Sequence, residues 1–176
     1  MLKVQQSVFK TIGAVLFLLS AGALATAAVT TQWVIGTAST AMLTPNSIAS
    51  NGYTAASTAY DNTISGQTTG SGYTRCSFEA VLAFPANPSA NAAVLVWILP
   101  SQDGTNYADT PTGSIITSPA HVAIPVTQGQ NSTRQTVFTV CPPGKFKIVA
   151  QMNGTGQTTN SSGNTITLKQ YTPQGN

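Results

Sequence analysis

From Tyr73 onward, the apolar residues follow the two-residue period of β-strands. Within residues 74–84, apolar side chains alternate with Arg75, Ser77 and Glu79. Neighbouring side chains of a strand point to opposite faces, so this alternation predicts a strand with one buried face. The residues expected on that face are Cys76, Phe78, Ala80, Leu82 and Phe84.

Further strands follow at short intervals. Residues 94–99 are continuously apolar, as expected of a strand covered on both faces. Residues 121–126 contain Pro125, which has no N–H and therefore predicts an edge strand. Weaker alternation predicts strands over residues 135–141, 146–152 and 165–171, with Pro- and Gly-rich turns between them. We expect an all-β fold, a single β-sandwich of the jelly-roll or immunoglobulin-like type.

The chain before this region divides in two. Residues 1–29 carry two lysines and then a long apolar run, which predicts a hydrophobic leader: a cleaved signal peptide, or a retained helix that anchors or packs. If the leader stays uncleaved, residues 11–29 are the part expected to contact a membrane. Residues 30–72 are rich in Thr, Ser, Asn and Gly and predict a polar extended arm, with the sandwich domain over residues 73–176.

Charge is sparse along the whole chain. Charged residues make up 6% of the sequence, against ~25% in soluble domains. Of the net charge of +3, two units come from Lys3 and Lys10 in the leader. The pair Lys145 and Lys147 is the sole basic cluster in the rest of the chain. We therefore expect no nucleic-acid partner.

One polar loop, residues 101–109, is the main candidate for chemistry. Asp103-Gly104 is a favoured tight-turn pair, which predicts a structural turn. The alternative is a calcium site formed by Asp103, Asn106 and Asp109, although calcium needs about six or seven oxygen ligands.

Elsewhere the sequence shows no catalytic motif. His121 is the single histidine, and no nucleophile–histidine motif or phosphate-binding loop is present. A glycosidase pair would have to come from the four carboxylates Asp61, Glu79, Asp103 and Asp109. We expect a protein without enzymatic activity and without a cofactor.

Cys76 and Cys141 leave two alternatives open. They can form one disulfide, or they can be two small buried thiols. A disulfide would fit the oxidising compartment to which a signal peptide leads.

An ordered series of motifs resembles a known family. The series comprises Val96-Trp97-Ile98-Leu99, the loop Ser101–Asp109, Pro142-Pro143-Gly144-Lys145-Phe146-Lys147, Asn153-Gly154-Thr155-Gly156-Gln157 and Ser162-Gly163-Asn164-Thr165. It resembles small β-sandwich proteins encoded among the virion genes of tailed bacteriophages and prophages, over about Trp33 to Tyr171. The chain departs from that family at its hydrophobic leader, which argues against a plain cytosolic route of assembly.

The resemblance implies a structural role in a particle. We expect a capsid-decoration or tail-associated virion protein that contacts other virion proteins and forms a homo-oligomer. The alternative is a secreted or surface-anchored binding or adhesion module, in which Trp33 and Tyr53 would be the aromatic residues that stack on a sugar. Trp97 is expected in the core.

Overall fold

The computed structural model describes residues 31–35, 40–62, 72–108 and 119–175. Within these ranges the regular elements are β-strands, which confirms the all-β prediction for the described residues, and Trp33–Gln174 form one compact unit. The strands are β1 (Thr31–Ile35), β2 (Thr40–Leu43), β3 (Tyr60–Asp61), β4 (Arg75–Ala83), β5 (Ala93–Pro100), β6 (Val122–Pro125), β7 (Ser132–Val140), β8 (Lys145–Asn153) and β9 (Thr165–Gly175).

Eight of these strands pair as a nested antiparallel ribbon. β5 pairs with β6, β4 with β7, β3 with β8 and β2 with β9, so that each pair encloses the previous one along the chain. Successive pairs alternate between two sheets, because β9 also pairs with β4 and β8 also pairs with β5. Sheet A has the order β1-β9-β4-β7, with β2 also on β9, and sheet B has the order β3-β8-β5-β6. The two antiparallel sheets give the protein a β-sandwich-like architecture.

The main core lies between the two sheets. The alternating apolar residues predicted for β4 are buried there, and Phe78 and Phe84 are among its largest members. Burying an aromatic or branched side chain contributes about 1.5–3 kcal/mol, so this layer is the principal attraction between the sheets. Sheet B contributes Val94, Val96, Ile98, Phe146, Ile148, Ala150 and Met152 to the same cluster.

Strand β5 is covered on both faces, as its continuous apolar sequence predicted. Val94, Val96 and Ile98 face the main core, whereas Trp97 and Leu99 form a second cluster on the other face of sheet B. Strand β6 lies at the edge of sheet B, which confirms the prediction drawn from Pro125.

An irregular segment, residues 51–59, runs along the side of β8 that faces away from β5; we call it the edge segment. The N–H of Thr54 donates to Ala150 O (2.8 Å), and Ala150 N–H donates back to Thr54 Oγ1 (3.1 Å). Ser57 repeats this exchange with Ile148, through its N–H and its Oγ, at 2.9 Å each. Each hydroxyl replaces the backbone acceptor of a regular strand, so the backbone of β8 is paired where an open edge would invite association.

The structure differs from the predicted division of the chain at residue 73. Strand β2 belongs to sheet A, and its residues Met42 and Leu43 lie in the main core. The edge segment and β3 belong to the edge of sheet B. The described parts of residues 30–72 are therefore built into the sandwich and do not form a separate polar arm. Their Thr- and Ser-rich composition predicts an extended arm, because sequence alone does not show which hydroxyls bond to a distant strand.

The hydrophobic leader predicted over residues 1–29 lies outside the described residues. In the part of the chain that the structure does describe, no helix has the length and apolar character needed to cross a bilayer.

Candidate functional site

The loop after β5 is organised around one carboxylate. Asp103 Oδ1 accepts hydrogen bonds from the N–H of Thr105 (2.8 Å), the N–H of Asn106 (2.7 Å) and the hydroxyl of Ser101 (3.0 Å). Its Oδ2 accepts one from Asn106 Nδ2 (2.6 Å). These backbone and side-chain donors hold the pKa of Asp103 far below its usual value. The Asp103 carboxylate thus stabilises the turn in which it lies.

The rest of the loop has a structural role as well. Gly104 has a φ of +77°, the left-handed conformation that the Asp-Gly pair predicted. The Tyr107 hydroxyl donates to Gly104 O (3.3 Å), and Lys147 Nζ lies 4.4 Å from the centre of the Tyr107 ring. A cation over an aromatic face is attracted to it, so Lys147 helps to fix the loop against β8.

Of the three residues proposed as calcium ligands, two lie together in the structure. Asp103 and Asn106 are in contact, but Asn106 presents its N–H groups to the carboxylate, as a donor and not as a metal ligand. Asp109 lies outside the described residues. No group of three or more His, Cys, Asp or Glu side chains suited to a metal ion occurs in residues 31–35, 40–62, 72–108 and 119–175.

The other ionisable candidates also contact structural partners. His121 is exposed at the start of β6, and its Nδ1 accepts a hydrogen bond from the N–H of Ile98 (3.1 Å). Glu79 forms a bidentate pair with Arg134 on the outer face of sheet A, at 3.0 and 3.1 Å. Hydrogen bonding to Arg134 lowers the pKa of Glu79. Thr136, on the strand that carries Arg134, also hydrogen-bonds to the Glu79 carboxylate.

Cys76 and Cys141 are joined by a disulfide. Their Cα atoms are 5.1 Å apart, and both residues are buried. Cys76 lies in β4, and Cys141 directly follows the end of β7, its partner strand. Of the two alternatives that the sequence left open, the structure has the bonded pair.

The aromatic residues considered for sugar binding are differently placed. Trp97 is in the second cluster of sheet B, as expected, and Tyr53 packs on it with ring centroids 5.9 Å apart. Tyr53 thus contacts the second cluster of sheet B and stays partly exposed. The side chain of Trp33 lies outside the described part of the chain.

The outer face of sheet A carries an apolar surface that the sequence analysis did not single out. Phe138 and Val140, on β7, expose 68% and 64% of their surface; we call them the β7 patch. Tyr171 of β9 extends the patch, with its ring centroid 6.0 Å from that of Phe138. The signal was present in the sequence, since Phe138 and Val140 alternate with Val137, which packs against the core. The two-residue period alone did not show which face of β7 is covered by the rest of the protein.

Comparison of the chain with family models, with curated proteins and with solved structures finds no match in any of the three.

Proposed function

We propose that the protein is a non-enzymatic structural component of a bacteriophage-like particle, in a capsid-decoration or tail-associated position. The observation that carries this proposal is the nested ribbon of β2–β9 wound into two facing sheets. Double-sheet folds of eight strands with this winding are jelly rolls, which are common in viral capsid proteins.

The order of the strands favours a jelly roll over an immunoglobulin-like sandwich. In immunoglobulin domains, several consecutive strands are neighbours in one sheet. Among the described strands, β5 and β6 are the one consecutive pair that bonds, and every other pairing joins strands that are not consecutive in the chain. The finer description of the fold as a jelly roll is part of this proposal.

The side chains capable of chemistry support a structural role. Asp103 is held by its own loop, Glu79 by Arg134, and His121 accepts from a backbone N–H. An active site would require titratable groups that converge on a cavity, with room for a reacting atom beside them. The resemblance of the ordered motifs to those of phage virion proteins supports the same conclusion, and so does a surface that is polar but carries little charge.

Jelly rolls also occur in lectins, so the secreted or surface-anchored binding module is the competing function. The contact of Tyr53 with Trp97 gives Tyr53 a structural role in the second cluster, which favours the virion role over that alternative. The proposal thus assigns the protein to the virion, with other virion proteins and further copies of itself as its partners.

The test is to find the protein in its natural source. Particles and culture supernatant are separated on a density gradient, and each fraction is examined by intact mass and N-terminal sequencing. A detergent and high-salt wash of the particles serves as the control for adhering membrane. We expect the chain in the washed particle fraction, in a constant ratio to the major capsid protein. A chain found free in the supernatant, with an N-terminus near Ala28, would exclude the virion role and favour the secreted module.

A further inference from the structure

Strand β7 has a free side in sheet A. Asn131 O accepts from Phe84 N–H, and Cys141 N–H donates to Thr74 O. Because backbone groups of an antiparallel strand alternate in direction, the odd-numbered residues of β7 bond to β4. The even-numbered residues, including Thr136 and Phe138, direct their N–H and C=O groups away from it. Within the described residues, no strand pairs with that side.

Within the part of the chain that the structure describes, both edges of sheet B are protected, whereas the outer edge of β7 is not. Strand β6 is short and contains Pro125, and the edge segment pairs with β8. Strand β7 has nine residues in unbroken register with β4, without a bulge or a proline. Its stretch Thr136–Val140 carries no charge, and the two side chains of the β7 patch stand beside the open backbone groups. An edge of this kind readily accepts a further strand.

The sequence of this edge is compatible with pairing to its own copy about Phe138. Residues 136–140 read Thr-Val-Phe-Thr-Val. Two antiparallel copies centred on Phe138 would place Phe138 opposite its own copy, Thr136 opposite Val140 and Val137 opposite Thr139. All of these are residues that favour strands, and aromatic and β-branched cross-strand pairs are stabilising. The hydrogen-bonding groups of Phe138 point outward, so they would bond to those of the second copy.

We propose that two copies of this chain join through β7, in antiparallel register centred on Phe138, to form a sheet continuous across a two-fold axis. A symmetric contact requires the same surface on both partners, and two copies of the β7 edge meet that requirement. Residues 136–140, which would pair between the copies, carry no charge. Arg134 lies just outside them and is paired with Glu79. This dimer does not depend on the proposed function, since a secreted module could form it equally well.

The register is tested by disulfide trapping in the full chain. The two natural cysteines are bonded to each other, so an introduced thiol is the one free thiol. Hydrogen-bonded antiparallel partners have Cα atoms about 5.5 Å apart, within the ~4.4–6.8 Å that a disulfide spans. We expect Phe138→Cys to cross-link to its own copy under mild oxidation. Thr136→Cys should not, because at ~3.3 Å per residue its copy lies about 13 Å along the strand. A mixture of Thr136→Cys and Val140→Cys should cross-link.

Sedimentation equilibrium then tests the affinity. Phe138→Lys places like charges opposite each other and should raise the dimer dissociation constant by about tenfold or more. The matched control is Thr167→Lys, on the same face of sheet A but in β9, which is not at the β7 edge; it should leave the constant unchanged. A wild-type chain that remains monomeric at its highest soluble concentration overturns the proposal. So does trapping of Thr136→Cys as efficiently as Phe138→Cys, or an equal effect of the two lysine variants.

Discussion

Replacing Thr54 by valine tests whether the hydroxyls of the edge segment hold sheet B. Valine keeps the shape of threonine but removes Oγ1, the acceptor for Ala150 N–H. Thr54 is buried and Ala150 is fully buried, so the donor would face a methyl group where water cannot readily replace the lost bond. An unpaired buried N–H costs about 1–3 kcal/mol, and we expect the free energy of unfolding to fall by that amount. The bond from Thr54 N–H to Ala150 O is retained, so the segment should stay in place.

The assay is urea denaturation combined with amide hydrogen exchange. Thr58→Val is the matched control, because Thr58 is exposed in the same segment, and its effect should stay within about 0.5 kcal/mol. In the Thr54→Val variant, the amide of Ala150 should exchange faster, while that of Val149, which lies opposite Trp97 of β5, should not change. A Thr54→Val variant as stable as the control, with unaltered exchange at Ala150, would refute the reasoning.

Three further predictions concern the loop, the disulfide and the core. Replacing Cys76 and Cys141 together by alanine should lower the free energy of unfolding by up to about 4 kcal/mol, the chain-entropy value for a separation of 65 residues, as measured in denaturant against the oxidised wild type. The carboxyl of Asp103 should titrate well below the ordinary Asp pKa of about 3.9 in a carbon NMR titration. Because its pKa is lowered by folding, its stabilisation is present above the unfolded pKa and is lost as the pH falls through the folded pKa; Asp103→Asn should remove that part of the acid dependence. Phe146→Ala should cost about 3–5 kcal/mol in thermal or chemical unfolding, since Phe146 is fully buried between the sheets; a loss below 1 kcal/mol would contradict that placement.

The sequence predicted the strands whose patterns are local. The alternation of β4, the continuous apolar run of β5 and the edge position implied by Pro125 are all properties of a few neighbouring residues. The Asp103-Gly104 turn was predictable for the same reason, because its hydrogen bonds stay within the loop.

The features that sequence did not predict depend on distant partners. Thr54 and Ser57 lie in a segment whose composition is typical of loops. They extend the edge of sheet B through hydrogen bonds to β8, which is remote in the chain. The pairing of Glu79 with Arg134, and not with a neighbour in its own strand, likewise follows from the register of β4 against β7. A periodic pattern gives the two faces of a strand, but which face is covered is decided by tertiary packing.

The nested pairing of the strands has a consequence for how the protein folds. The innermost pair, β5 with β6, joins strands adjacent in the chain, and each outer pair must close a longer loop than the one inside it. Closing a loop costs entropy before the contacts that it brings together can stabilise the chain. Pairing that starts with β5 and β6 and proceeds outward is therefore the least costly order. Folding that depends on such distant contacts is slow. The cysteines belong to the second pair, β4 with β7, and their Cα atoms are 5.1 Å apart when that pair is in register. A bond between Cys76 and Cys141 therefore favours the pairing of β4 with β7 and shortens the loops that the two outer pairs have to close.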